Sequence, residues 1–145
     1  MADKVIIRRI EKGEIDSIIS ISQSIVGKDR SASWQQSIES SLSVYPMKCL
    51  VAEVEGKIVG FLIGDTSNWE YGLPPCAWIQ MVGVNQEYQH KGIGRMLVQE
   101  FGKRCKQEGL RSVQALIRED DERLLKFFST VGFSGGKLIN LEYTL

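Results

Sequence analysis

Apolar positions recur with different periods along the chain, and the changes of period mark its elements. Val5 to Ile10 reads as a strand, and Gly13 to Val26 carries Ile15, Ile18, Ile19, Ile25 and Val26 at spacings that suit one face of a helix. A second helix is expected from Ser33 to Leu42. Met47 to Val54 and Ile58 to Gly64 are rich in β-branched residues, and the tight polar link Glu55-Gly56-Lys57 joins them as an antiparallel hairpin. Thr66 to Pro75 holds Asn68, Gly72, Pro74 and Pro75 and reads as a loop, after which Ala77 to Val84 reads as a largely buried strand.

Ile93, Leu97, Phe101 and Cys105 then recur every fourth residue while Gln99, Lys103, Lys106 and Gln107 fall elsewhere, the pattern of an amphipathic helix ending near Gly109. Ser112 to Ile117 is a further strand, and Asp121 to Val131 a short helix capped by Asp120 or Asp121. Lys137 to Leu145, with apolar Leu138, Leu141 and Tyr143, completes the series as a strand. The order β-α-α-β-β-β-α-β-α-β, with two strand-helix-strand crossovers at its end, predicts an α/β fold in which helices cover a mixed sheet. No repeat or linker divides the chain, so residues 1–145 are expected to form one domain.

Composition narrows the function. The 18 Lys and Arg balance 18 Asp and Glu, which argues against a dedicated nucleic-acid binder. Apolar runs such as Ala77 to Val84 fall well short of the ~20 residues that a membrane span needs. Met1-Ala2-Asp3-Lys4 leads straight into a strand-like run with no secretory signal. Cys49, Cys76 and Cys105 are odd in number, far apart and without metal-ligand spacing. They suit reduced thiols in a cytoplasmic protein, with no metal site expected.

The segment between the strand ending at Val84 and the helix starting near Ile93 carries most of the chemistry: Asn85-Gln86-Glu87-Tyr88-Gln89-His90-Lys91-Gly92-Ile93-Gly94-Arg95. Its glycines stand at a helix start, where they let unpaired backbone N–H groups and the positive end of the helix dipole face an anion such as phosphate. Lys91 and Arg95 add charge there, and residues 89–118 hold seven Lys or Arg against two Glu, a net +5 in a neutral chain. The alternative is a helix entrance that uses glycine only to turn. The segment is neither GxGxxG, since Leu97 replaces the third glycine, nor the GxxxxGK phosphate loop, which disfavours a nucleotide hydrolase.

Val84 followed by Gln89-His90-Lys91-Gly92-Ile93-Gly94 resembles the GNAT N-acetyltransferase signature: a valine, Gln or Arg five residues on, then Gly-x-Gly or Gly-x-Ala after two more. Asp121 to Phe133 is similar to a second family segment that begins with asparagine, places a tyrosine near its middle and ends in Gly-Phe. The resemblance implies the GNAT fold, a mixed, mostly antiparallel central sheet of about six to seven strands flanked by about four helices, with splayed central parallel strands. It further implies acetyl-coenzyme A as acetyl donor, with its pyrophosphate on the amides of Gln89, His90, Lys91, Gly92, Ile93, Gly94 and Arg95. The pantetheine arm would lie along Met81, Val82, Gly83 and Val84, and a backbone N–H near Val82 or Gly83 would serve the oxyanion. An amine would attack the thioester directly in a ternary complex. Such folds often pair through their last strands, so the resemblance admits a homodimer.

The sequence departs from the pattern at named positions. Phe128 stands where the family tyrosine protonates the leaving thiolate, and Asp121 stands for the asparagine that contacts pantetheine. Trp78 and Leu116 occupy two positions where some protein-acetylating branches place a basic carboxylate. A base acting through water is therefore expected, with Glu119, Glu70 or Tyr71 as candidates, and the acceptor is expected to be a small-molecule amine or a peptide amine, with a small-molecule or unusual acceptor favoured over a histone-like one. In the plainer readings, Glu119 to Glu122 supply a cap and acids at a helix start, His90 is a solvated loop residue, and Cys76 and Cys105 are packing residues. Trp34, Tyr45, Trp69 and Tyr71 either line the acceptor pocket or pack. The rival function on the same fold is a non-catalytic acyl-CoA sensor or partner-binding module; an ordinary nucleotide-binding α/β domain is a third.

Overall fold

A computed structural model describes residues 4–27, 31–44, 48–66 and 71–145. β2 (Cys49–Val54) is an inner strand of the sheet, and its residues alternate between two apolar layers. Leu50, Ala52 and Val54 join one buried cluster, and Cys49 and Val51 the other. A strand with apolar side chains on both faces needs a helix layer on each side. α3 (Ile93–Gln107) and α4 (Glu122–Thr130) cover the first face; α1 (Ile15–Val26) and α2 (Ala32–Val44) serve the second, where Ile18, Ile21 and Leu42 are buried.

β1 (Val5–Arg9), β2, β3 (Lys57–Asp65), β4 (Cys76–Val84) and β5 (Ser112–Ala115) form one sheet in sequence order. The first three pairings are antiparallel and β4 with β5 is parallel. Glu55 and Gly56 both take positive φ, 50° and 78°, the two-residue turn whose twist matches its flanking strands. The predicted helix stripe is the core of α3: Ile93, Leu97, Phe101 and Cys105 are all buried, and Phe101 lies over Gly64, where a Cβ would overlap its ring. Arg8 fixes the entry to α1, donating from both terminal nitrogens to Glu14 at its N-cap at 2.8 and 2.7 Å.

Among the described residues the sheet has five strands rather than six or seven. Lys137 to Leu145, expected as a strand, has no ladder partner among the described residues, so the second crossover at the end of the chain is not completed. Its alternating sequence does suit a strand, but a strand also needs a neighbouring backbone, which periodicity cannot supply. β5 likewise stops at Ala115, short of Ile117, and an unforeseen 3₁₀ turn at Gln86–Tyr88 follows β4, capped by Asn85 Oδ1 accepting from the Glu87 amide at 3.1 Å.

Candidate active site

β4 and β5 run together for four residue pairs, from Cys76 opposite Ser112 to Ile79 opposite Ala115, and then part. The cause lies on the other edge of β4. Its register with β3 shifts so that Ile63 faces Met81 and Gly64 faces Ile79, leaving Gln80 as an extra residue. A bulge bends its strand and increases its twist. β4 thus turns away from β5 at the residue where their pairing ends. From Met81 to Val84 the strand pairs, among the described residues, with β3 on one side only, and its other backbone edge opens into the gap.

The glycine segment sits at the mouth of this gap. Gly92 is the N-cap of α3 with φ 82°, His90 has φ 63°, and the first helical bond runs from the Met96 amide to the Gly92 carbonyl at 3.0 Å. The amides of Ile93, Gly94 and Arg95 precede that bond and have no intrahelical acceptor. A Cβ on Gly92 would meet nothing within 4 Å, so the ground before these amides is open. His90, Lys91 and Arg95 are exposed around it, and the Lys91 ammonium lies 5.3 Å from the Tyr88 ring centroid. Gln89 spans the mouth: its Nε2 donates to the Val84 carbonyl at 2.9 Å, and its Oε1 accepts from Arg123 of α4 at 2.8 Å.

The two glycines serve different ends. Gly92 permits the left-handed backbone, whereas a Cβ on Gly94 would stand 3.0 Å from Phe127 Cε1. Gly94 therefore makes room for α4. Phe128, the next residue, is buried in a cluster with Phe127 and Phe133, at centroid distances of 5.2 and 4.9 Å. Between the two capping alternatives the structure selects Asp121, whose Oδ1 accepts from the Leu124 amide at 3.0 Å. Asp120 instead pairs with Arg118 at 2.6 and 2.9 Å, a hydrogen-bonded contact that holds its carboxyl below the usual carboxylate range.

Glu119 lies exposed in the segment between β5 and α4. Tyr71 is 68% exposed and meets Trp78 edge to face at 5.9 Å. Glu70, Trp69 and Tyr45 lie outside the described residues. On the α1–α2 face a cavity of about 440 Å³ reaches the bulge, with Trp34, Ile38, Cys49, Asp65, Gln80 and Met81 in its wall. Trp34 was among the aromatic candidates; Asp65 and Gln80 were not. Gln80 is the sole side chain in the Cys76–Val84 run outside the apolar and glycine types, and that interruption was the available sign of irregularity.

The Cys49 thiol is pushed up to about 12, chiefly by burial and then by the negative charge of Glu14, and Cys105 to about 11 by burial. Both are neutral thiols near pH 7 and poor nucleophiles. Among the described residues no three His, Cys, Asp or Glu gather as metal ligands, and no helix is long and apolar enough to cross a membrane.

Residues 15–133, most of the chain, match the model of the acetyltransferase (GNAT) family. The chain belongs to this family. An acetyltransferase of Pectobacterium atrosepticum is 26% identical over 107 residues, 74% of this chain and 72% of that protein. AAC(6')-Iy in complex with the bisubstrate analog CoA-S-monomethyl-acetylneamine superposes with a TM-score of 0.79 at 13% identity, over 98% of this chain and 99% of that one. Ard1 from Thermoplasma volcanium gives 0.75 at 25% identity, over 90% of this chain and 82% of that one. This GNAT chain thus shares its overall fold, a mixed sheet with helices on both faces, with a structure solved with a CoA-bearing bisubstrate analog.

Proposed function

We propose that this GNAT chain transfers the acetyl group of acetyl-coenzyme A to a primary amine by direct attack in a ternary complex. The observation that carries the reading is the bulge at Gln80, which opens the Met81–Val84 backbone edge between two loci of opposite character. At one end lie the unpaired amides at the start of α3, and behind the strand lies the cavity beside Gln80 and Met81. In this reading the amides from Gln89 to Arg95, with Lys91 and Arg95, hold the diphosphate. The free edge of Met81 to Val84 pairs with the amides of the pantetheine arm as an added strand would. Asp121 and Phe128 act by holding α4 against this loop.

The cavity takes the acceptor. Trp34 and Ile38 offer apolar wall, and Asp65 favours a cationic amine. The amine must lose a proton before it attacks; water passes that proton to Glu119, Tyr71 or Glu70, the candidates nearest in sequence to the two strands. A backbone N–H at Val82 or Gly83 faces the developing oxyanion. Phe128 supplies no proton to the leaving thiol, whose ordinary pKa near ~8.5 lets it depart as thiolate or take a proton from solvent. Direct transfer is preferred to an acyl-cysteine because Cys49, the thiol in the cavity wall, is held neutral. AAC(6')-Iy, bound to an analog that joins CoA to an acetylneamine, supports a small amine as acceptor. Buried free thiols suit a cytoplasmic setting.

Phe128 in place of a proton donor favours one rival, an acyl-CoA sensor without turnover. Thiol release from acetyl-coenzyme A across a panel of small amines and peptides separates the two. The enzyme reading predicts turnover on at least one amine, abolished by Gly92→Glu; tight acetyl-coenzyme A binding with no turnover on any amine favours the sensor.

A further inference from the structure

The bulge at Gln80 turns side chains as well as freeing an edge of β4. Ile79 packs in the cluster on the α3 face, yet Met81, two residues on, packs in the cluster on the α1–α2 face. In a regular strand two such residues share a face. The extra residue reverses the alternation, so that Gln80 and Met81 both enter the cavity wall. Trp78, one residue before Ile79, is turned to the same side.

β3 adds one charge to this face. A Cβ on Gly64 would overlap the Phe101 ring of α3, so Asp65, the next residue, is turned to the α1–α2 side, opposite Trp78 in the register. Tyr71 packs edge to face on the Trp78 ring and holds it there. Lys48, the other charged residue in the wall, adjoins Cys49 of the α1–α2 cluster and falls on the opposite side, where its charge acts on Cys105 of α3 against the rise that burial gives that thiol. Among the described residues the cavity therefore presents one carboxylate, at its Trp78 end. Ile63 and Met81 lie between that carboxylate and Val82, and Trp34, Ile38 and Leu42 of α2 complete an apolar wall.

The register sets the spacing. Asp65 stands two residues from Ile63, the partner of Met81, and Val82 stands one residue the other way, so Asp65 and the amide proposed for the oxyanion are three strand steps apart, roughly 10 Å. An ammonium held at Asp65 is too far away to be the amine that attacks. The site thus has places for two nitrogens, one that reacts and one that keeps its charge.

We propose that the acceptor is an unbranched α,ω-diamine, acetylated at one end while its other ammonium lies between the Asp65 carboxylate and the Trp78 ring. This names the substrate class of the acetyl transfer proposed above and rests on that reading. The charged end gains a charge-assisted hydrogen bond and an aromatic face. A carboxylate offers about four acceptor positions, so a bond within the chain leaves room for the ammonium. Methylene groups cover the apolar wall between the two ends, whereas the hydroxyls of a sugar amine would be buried there without partners. Hydrogen-bond reach at each end leaves roughly 6–9 Å between the nitrogens, the span of about four to six carbons.

The test is thiol release from acetyl-coenzyme A with α,ω-diamines of increasing length beside n-alkylamines of the same lengths. For the diamines kcat/KM peaks at about four to six carbons, at least about tenfold above the matched monoamine, as one contact to a charged group provides. Asp65→Asn lowers this diamine-to-monoamine ratio at least about tenfold. Asp65→Glu, whose carboxylate reaches one methylene further, moves the peak to a shorter diamine. A side chain that only supported the fold would move neither the ratio nor the peak. Monoamines turned over as well as diamines, or a length profile that Asp65→Glu leaves in place, overturns the diamine and leaves acetyl transfer standing. No turnover with any amine removes acetyl transfer instead, and calorimetry of 1,5-diaminopentane with the CoA-saturated chain then decides. A Kd that Asp65→Asn raises at least about tenfold retains the diamine site, and an unchanged Kd or no binding overturns it.

Discussion

Gly92 and Gly94 share one motif but fail for different reasons when altered, and the difference is measurable. Alanine at 94 puts a methyl group 3.0 Å from Phe127 Cε1 and 3.2 Å from Cζ. The ring must withdraw by some tenths of an ångström, yet it packs edge to face on buried Phe128 at 5.2 Å. Overpacking of this kind costs about 1–3 kcal/mol. Alanine at 92 meets nothing within 4 Å, but its φ of 82° costs about 1–2 kcal/mol in backbone strain. The two single variants therefore unfold in urea at similarly lowered midpoints. A smaller side chain at 127 separates them: in a double-mutant cycle with Phe127→Leu, Gly94→Ala recovers about 1 kcal/mol or more, and Gly92→Ala recovers nothing beyond the ~0.5 kcal/mol of ordinary additivity error. A 94–127 coupling below that error, or equal recovery at 92, refutes the assignment of Gly94 to helix packing.

Three further predictions follow from local contacts. Arg8 hydrogen-bonds Glu14 and holds its carboxyl below the usual range, so the folded state takes up that proton later than the unfolded chain. The pair's contribution, about 1 kcal/mol, is full above the unfolded pKa of ~4.3 and is lost as pH falls through the lower folded value. Glu14→Gln is accordingly less stable at pH 7, and its deficit shrinks by pH 3 in urea melts. Asp121→Ala costs about 1 kcal/mol through loss of the α4 cap, and Asp121→Asn retains most of it, as thermal unfolding will show. A disulfide reagent such as Ellman's titrates none of the three buried thiols in the native chain and all three in guanidinium, with any fast-reacting native thiol contradicting the burial.

Local pattern was enough for the helices that carry strong stripes and for the hairpin at Glu55-Gly56, because their spacing is set by neighbours in sequence. The position of the glycine segment before α3 was legible for the same reason. The role of Gly94 was not, since Phe127 reaches it from 33 residues away. Nor was the opening of β4: a bulge needs one strand to have a residue more than its partner, and in the sequence it leaves only a glutamine in an apolar run. The cavity that gathers Trp34, Asp65 and Gln80 joins α2, β3 and β4, three elements brought together by the sheet. The segment 137–145 shows the converse failure, a strand-like pattern that finds no ladder partner among the described residues.

Acetyl-coenzyme A titrated into the ¹⁵N-labelled chain, followed by amide chemical shifts, reads out whether the glycine loop before α3 and the open edge of β4 hold the cofactor together. Its largest shifts are predicted at Lys91 to Arg95 and at Met81 to Val84, and Gly92→Glu is predicted to abolish them. Saturable binding that leaves both sets of amides unmoved and shifts another surface would contradict it.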